Sequence, residues 1–199
     1  MGNPVTATTE LQAVNTCLTN IGETPVQSLE DETVVDASMA LEIVRAVTRE
    51  LQSQSWHWNT DIQIKLTRNL SGRVVLAPNV LRVKPSGPDQ HLPIVQRGTY
   101  LYNRLTHSYN FDHDITVDQT LGLPFDEIPE TARRFISLRA ARIFQERTIS
   151  SESIAQSDRA DEFTAYTALV NEETNVSGYN YLADNLTTQR IVNRSGLIR

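Results

Sequence analysis

Hydrophobic positions in the first fifty residues recur at the spacing of a helical face. This spacing predicts a helix over residues 9–21, which Gly22 can end in a left-handed conformation. Its apolar face holds Leu11, Val14, Leu18 and Ile21. A second helix is predicted over residues 33–55. Its apolar stripe holds Val35, Ala40, Ile43, Val44, Val47 and Leu51.

The pattern then changes to alternation, which is typical of half-buried strands. Ile62, Ile64 and Leu66 alternate with polar neighbours. Further strand candidates are RVVLA, NVLRVKP, LPIVQRG, TYLYNRL and HDITVDQ, with Gly, Pro, Ser and Asn between them. Because no helix lies between these strands to make parallel crossovers, they predict a small antiparallel sheet or barrel.

Helical spacing returns in DEIPETARRFISLRAARIFQER, with Pro129 suited to the first turn. The predicted buried stripe is Phe135, Ile136, Ala140, Ile143 and Phe144. A fourth helix is predicted over residues 151–175. Its stripe is Ile154, Ala155, Phe163, Tyr166, Leu169 and Val170. The segment that follows has neither helical spacing nor the alternation of a strand, and it is interpreted as an extended tail.

These elements predict an α+β fold in which N- and C-terminal helical hairpins form a four-helix core. We expect residues 1–58 and 126–177 to make the helical core. A small antiparallel β domain is inserted over residues 59–125, and residues 178–199 form the tail.

Charge and composition indicate which kinds of binding partner the protein can have. The net charge is −6, which argues against a protein that grips nucleic acid by its phosphates. Lys65 and Lys84 are the only lysines, and the many arginines favour protein–protein contacts. Cys17 is the only cysteine and is predicted to be a small buried residue. No apolar run reaches the roughly 18–20 residues that cross a bilayer, so no membrane partner is expected.

A search for catalytic residues finds no recognised constellation. None of the four histidines has zinc-site spacing. Asp112 and Asp114 would share a strand face and could meet a cation; the alternative is a polar strand edge. The carboxylate pairs at residues 126–127 and 172–173 suit a helix start and a solvated face. The sequence therefore predicts a protein that is not an enzyme and needs no cofactor.

Two features leave alternatives open. The tail after Asp184 combines branched apolar residues with three arginines, so it either docks on a partner or packs on its own domain. Arginines crowd the third helix and carboxylates the fourth, and such faces can pair within one hairpin or between ring subunits. For the second arrangement, the candidate subunit-interface residues are Arg133, Arg134, Arg139, Arg142, Asp158, Asp161 and Glu162.

Several stretches together resemble tail tubular protein A of short-tailed bacteriophages. They are ELQAVNTCLTNIGETPVQSLE, RGTYLYNRL with FDHDITVD, DEIPETARRFISLRAARIFQER and GYNYL. The resemblance implies a structural virion protein that forms a dodecameric ring between the portal protein and the tubular nozzle protein (tail tubular protein B). DNA would pass through the ring without specific binding. The expected location is the virion tail, after assembly in the host cytoplasm.

The resemblance also implies which parts contact partners. The C-terminal tail would reach the portal through Tyr179, Tyr181, Leu186, Arg190, Ile191, Arg194, Leu197, Ile198 and Arg199. The β region would face the nozzle and the tail fibre, with Tyr100, Tyr102, Asp112 and Asp114 as candidates. The alternatives are a virion-associated glycan hydrolase and a monomeric binding module.

Overall fold

The structure is a computed structural model that describes residues 6–30, 35–148 and 152–176, with side chains from residue 159 onward in the last range. The helices are α1 (Glu10–Asn20), α2 (Val35–Gln52), α3 (Glu130–Thr148) and α4 (Glu152–Val176). The strands are β1 (Thr60–Leu66), β2 (Val80–Pro85), β3 (Ile94–Arg97), β4 (Tyr100–Asn103) and β5 (Ile115–Leu121). The α+β fold predicted from the sequence is confirmed. The strands form small antiparallel sheets, and in the sequence they lie between one pair of helices and the next.

Helix α1 has defined caps at both ends. The Thr9 hydroxyl accepts a hydrogen bond from the Gln12 backbone N–H at 3.2 Å, and the Gln12 side chain accepts one from the Thr9 N–H at 2.9 Å. At the other end Gly22 has φ +84°, the left-handed conformation that the sequence predicts, and the Glu23 N–H donates to the Leu18 carbonyl at 2.9 Å. The predicted helix is therefore confirmed to within one residue at each end.

The helices enclose one continuous cluster of buried hydrophobic side chains. Val14 and Leu18 of α1, Val44 and Leu51 of α2 and Phe144 of α3 are all fully or almost fully buried. Cys17 is buried in the same cluster, as predicted, and burial raises the pKa of its thiol to about 12. Val35 is the exception in the predicted stripe of α2. It is 67% exposed because it begins the helix at the rim of a groove rather than in the core.

Helix α4 buries less of its surface than the sequence predicts. The prediction that Phe163, Tyr166 and Val170 lie in the core is wrong: their exposed fractions are 71%, 38% and 37%. Leu169 is buried as predicted, and Ala165, which was not in the predicted stripe, is buried as well. Because α4 packs chiefly against α3, it covers one narrow i, i+4 stripe and leaves its other apolar residues outside. The side chains of Ile154 and Ala155 lie outside the described residues.

The strands form a three-stranded antiparallel sheet, ordered β1–β5–β2, and a β3–β4 hairpin. Two predictions in this region are wrong. RVVLA forms isolated bridges, such as Val75 with Tyr100, rather than a strand. Ile62 is 72% exposed because β1 has a bulge between Asp61 and Ile64, which breaks the alternation of faces. A second hydrophobic cluster, including Leu101, Ile115 and Val117, lies in this β region.

Two buried amides connect the helices to the three-stranded sheet. The Asn59 amide nitrogen donates to the carbonyls of Gln52 at 2.8 Å and Leu121 at 2.9 Å, and its oxygen accepts from the Trp56 N–H at 3.0 Å. The Gln52 side chain bonds both the N–H and the carbonyl of Leu123. These amides fix the ends of the β region side by side. The proposed domain boundaries themselves stay a prediction.

Candidate functional site

A network of ion pairs joins α3 to α4 and reaches α2. Arg139 lies 2.8 Å from Glu50 and 3.5 Å from Glu162, measured between guanidinium nitrogen and carboxylate oxygen. Arg142 pairs with Glu162 and, at 2.9 Å, with Glu146. The hydrogen bond from Arg142 to Glu162 is the main cause of the raised pKa of Arg142. The hydrogen bond from Arg142 likewise holds the pKa of Glu146 below its ordinary value. These ion pairs correspond to the alternative in which the charged faces of the third and fourth helices pair within one hairpin.

Arg133 is also engaged within the chain. Its guanidinium donates to the backbone carbonyls of Ile128 at 2.6 Å, Thr8 at 2.8 Å and Asp126, and the residue is 9% exposed. Arg133 thereby ties the segment before α1 to the start of α3. It was predicted as a subunit-interface residue from charge alone, and the geometry gives it a structural role inside the subunit.

The other predicted interface residues differ in accessibility. Arg134 and Asp161 are exposed, and the side chain of Asp158 lies outside the described residues. Pairing within a subunit does not prevent Arg139, Arg142 and Glu162 from contacting a neighbour at their exposed edges. The assignment of these residues to a subunit interface therefore stays a prediction.

A cleft of about 420 Å³, the α3–α4 cleft, borders this network and is lined by residues of α3 and α4 and by Gln54 after α2. Phe163 and Tyr166 line it together with Arg139 and Arg159, and Tyr166 contacts the ring of Phe135 with centroids 5.3 Å apart. Exposed aromatic and arginine side chains are enriched at protein interfaces. Sequence reasoning placed Phe163 in the core. The available signal was the spread of apolar residues around α4, too wide for one buried stripe.

Three tyrosines lie together on one face of the β3–β4 hairpin. The ring centroid of Tyr109 is 6.3 Å from that of Tyr100 and 4.9 Å from that of Tyr102. The Arg97 guanidinium lies 3.6 Å from the centroid of Tyr102. Tyr102 is only 8% exposed, whereas Tyr100 and Tyr109 are half-buried and Arg97 is exposed. Of this face the sequence predicted Tyr100 and Tyr102. Arg97 was missed because the register of the hairpin places it opposite Tyr100, and Tyr109 was missed because it reaches the face through the turn closed by the bridge between Asn103 and Ser108.

Asp112 and Asp114, which lie just before β5, are not placed as the sequence predicts. Asp112 and Asp114 precede the strand, so they do not share a strand face. Asp112 is exposed, whereas Asp114 lies 3.6 Å from the Lys65 ammonium and accepts from the Arg68 N–H at 3.2 Å. These contacts fit the polar-edge alternative. Among the described residues, no group of three or more metal-ligating side chains comes together.

Asp89 is a buried carboxylate that sequence reasoning overlooked. It accepts from His113 Nε2 at 2.8 Å and from the Thr116 N–H at 2.7 Å, and it is 6% exposed. Burial by itself raises the pKa of Asp89, but the hydrogen bonds from Thr116 and His113 outweigh it and hold the pKa below its ordinary value of 3.8. The ionised carboxylate therefore stabilises the fold.

We expect Asp89→Asn to lower the free energy of unfolding by about 1–3 kcal/mol at neutral pH, because the amide keeps one acceptor oxygen and its NH2 group cannot accept the second hydrogen bond. Since the folded pKa is depressed, the wild-type advantage is fully present above pH 3.8 and is lost as pH falls through the folded pKa. Denaturant unfolding from neutral to acidic pH measures this, with the exposed Asp112→Asn as control. An Asp89→Asn deficit that persists unchanged in acid would contradict the account.

The tail residues predicted to reach the portal lie outside the described residues. None of the helices in the described part of the chain is long and apolar enough to cross a membrane. No curated protein matches the chain. The family described as Tail tubular protein matches residues 11–179, which cover α1 from its second residue, the three other described helices and all five described strands. The chain therefore belongs to the tail tubular protein family and is a structural protein of the bacteriophage tail.

Proposed function

We propose that this protein is a subunit of an adaptor ring that joins the portal to the tail nozzle and forms part of the DNA channel. The observation that carries the proposal is the family match over residues 11–179. The match spans both helical hairpins and the β region, so it concerns the whole described architecture rather than one motif. We further propose that the ring is dodecameric, as the resemblance to tail tubular protein A implies.

The surface of the subunit supports ring formation. A ring closes when one surface of a subunit contacts a different surface of its neighbour. Two separate apolar surfaces are available. The first is a groove of about 490 Å³ between α2 and α3, lined by Met39, Ile43 and Ile143. The second is the outer face of α4, where Phe163 and Val170 are exposed. Such exposed apolar surfaces commonly mark protein interfaces.

The partners are assigned to different segments of the chain. We propose that the C-terminal tail binds the portal and that the β region faces the nozzle protein and the tail fibre. Tyr100 and Arg97 are more accessible than Tyr102, so they are better candidates for those contacts.

The charge of the chain fits a channel component. With a net charge of −6, the protein attracts DNA phosphates weakly at most, so DNA can slide past without being held. Assembly of the ring onto the portal would take place in the host cytoplasm before the virion is complete.

Mass measurement with and without the portal protein tests the proposal. The expected result is a complex that contains about twelve copies of the 22.4 kDa subunit per portal ring, and closed rings or monomers without the portal. A chain that stays monomeric in every condition, including with its cognate portal, would favour a freestanding binding module and contradict the adaptor assignment.

A further inference from the structure

A polar recess lies where α2 meets the three-stranded sheet. Its volume is about 400 Å³, and we call it the neck pocket. It is lined by Ser55, Thr60, Arg82, Lys84, Asp118 and Thr120. The recess is separate from the α3–α4 cleft, the α2–α3 groove and the tyrosine face. None of the contacts proposed above uses it.

Two cations point to the same side of β2 at the pocket. In the sheet register Arg82 is opposite Thr120, and Lys84 is opposite Asp118. In the described part of the chain, neither Arg82 nor Lys84 has a carboxylate within 4.0 Å, whereas Arg139 and Arg142 each pair with two. The nearest carboxylate in the pocket, Asp118, accepts instead from the Gln63 backbone N–H at 2.9 Å. The positive charges are therefore available to a ligand.

A chain of hydroxyl groups forms the inner wall. The Thr120 hydroxyl donates to Ser55 Oγ at 2.8 Å, and the Thr60 and Thr120 hydroxyl oxygens are 3.5 Å apart. The Ser55 oxygen also lies 3.5 Å from Arg82 Nη1. Hydroxyls rotate to donate to an incoming oxygen, so this wall can add hydrogen bonds to the charge of Arg82. Thr120 is 3% exposed and closes the inner end.

Backbone strain is concentrated beside this pocket. Ser55 has φ +66° and Gln63 has φ +53°, a conformation that costs a non-glycine residue of order 1 kcal/mol. Each strained residue contributes to the pocket: Ser55 presents its hydroxyl between Arg82 and Thr120, and Gln63 holds Asp118 by its N–H. Strain of this kind persists where the surrounding structure enforces it, and it is common at binding sites.

We propose that the neck pocket binds a carboxylate side chain on an acidic segment of a partner protein. A guanidinium, an ammonium and the Ser55 hydroxyl, whose hydrogen is not used by its bonds from Thr120 and Arg82, match the oxygens of a carboxylate. The shape of the pocket favours a protein carboxylate over a DNA phosphate. The pocket is a recess closed at its inner end by Thr120, which a single side chain can enter but the broad backbone of a duplex cannot.

A labelled hexaglutamate peptide probes the pocket directly by fluorescence anisotropy at low salt. Because the whole protein is acidic, binding requires a local cationic site and should weaken as salt is raised. We expect Arg82→Gln combined with Lys84→Gln to weaken peptide binding by about tenfold or more. Thr60→Val, which keeps the shape of a β-branched residue, should weaken binding by about threefold.

Lys65→Gln combined with Arg104→Gln is the matched control, because it removes the same charge from the same region away from the pocket. It should leave the affinity within about twofold of wild type. Equal weakening by the control pair would show non-specific attraction and overturn the proposal. Tighter binding of hexathymidylate than of hexaglutamate would assign the pocket to nucleic acid and overturn it too, as would an absence of peptide binding at millimolar concentration. Unchanged melting temperatures confirm that all variants are folded.

Discussion

Replacing Asn59 with leucine should destabilise the protein by roughly 3 kcal/mol or more, the largest effect of a single substitution that we expect. Asn59 is 3% exposed, and its amide satisfies the Trp56 N–H and the carbonyls of Gln52 and Leu121. A leucine of similar size leaves all three backbone groups buried without partners, at about 1–3 kcal/mol each where water cannot enter. In a chain of this length the melting temperature should fall by roughly 6–12 °C.

Asn79→Leu is the matched control for this substitution. Asn79 is an exposed asparagine beside the same junction, and its side chain makes only a 3.5 Å contact with the Gly122 carbonyl. It should change the free energy of unfolding by less than about 0.5 kcal/mol. Equilibrium denaturant unfolding of both variants gives the comparison. Equal stability of Asn59→Leu and wild type would show that the junction does not depend on this amide.

Deleting residues 184–199 should abolish portal binding while leaving the subunit folded. Removing them takes away four large branched residues, Leu186, Ile191, Leu197 and Ile198. Burying these residues on a partner would contribute roughly 1.5–3 kcal/mol each, less the cost of ordering the segment. The melting temperature should hardly change, because the described helices already bury a hydrophobic cluster that draws on α1, α2, α3 and α4. Co-sedimentation with purified portal rings and thermal unfolding are the two measurements.

A charge variant separates the two contributions of the tail. Arg190, Arg194 and Arg199 replaced together by glutamine keep the apolar residues and remove the charge-assisted hydrogen bonds to portal carboxylates. This variant should bind the portal more weakly than wild type and with less dependence on salt. A truncated chain that binds portals normally, or that fails to fold, would show that the tail is not the anchor.

Local periodicity predicted the elements well wherever one face of an element is covered. Val14 and Leu18 of α1 are buried as their spacing indicates, and so are Phe135 and Phe144 of α3. Periodicity gave wrong predictions where the burial of a helix depends on how many other helices pack around it. Phe163 has the spacing of a core residue, but α4 packs chiefly against α3, and spacing does not reveal how many helices lie around it. The prediction for Ile62 was wrong because the bulge in β1 reverses the face of the sheet on which this residue lies.

The candidate sites were predictable only in part, because their contacts join distant positions. The excess of arginine on α3 and carboxylate on α4 predicted that charges would meet, and Arg142 with Glu162 does so within the chain. The junction amides gave no such signal. Asn59 contacts a residue 62 positions away and Gln52 one 71 positions away, so nothing local distinguishes them from surface amides. Both depend on the fold for their role.

Electron-microscopic imaging of the protein assembled with its portal shows directly whether this chain forms an adaptor ring. We expect a closed ring of this chain stacked coaxially on the portal ring, with the helical hairpins in the wall, the C-terminal tails on the portal and the β regions on the opposite side. Single subunits bound at the portal periphery, or a ring whose β regions contact the portal, would contradict it.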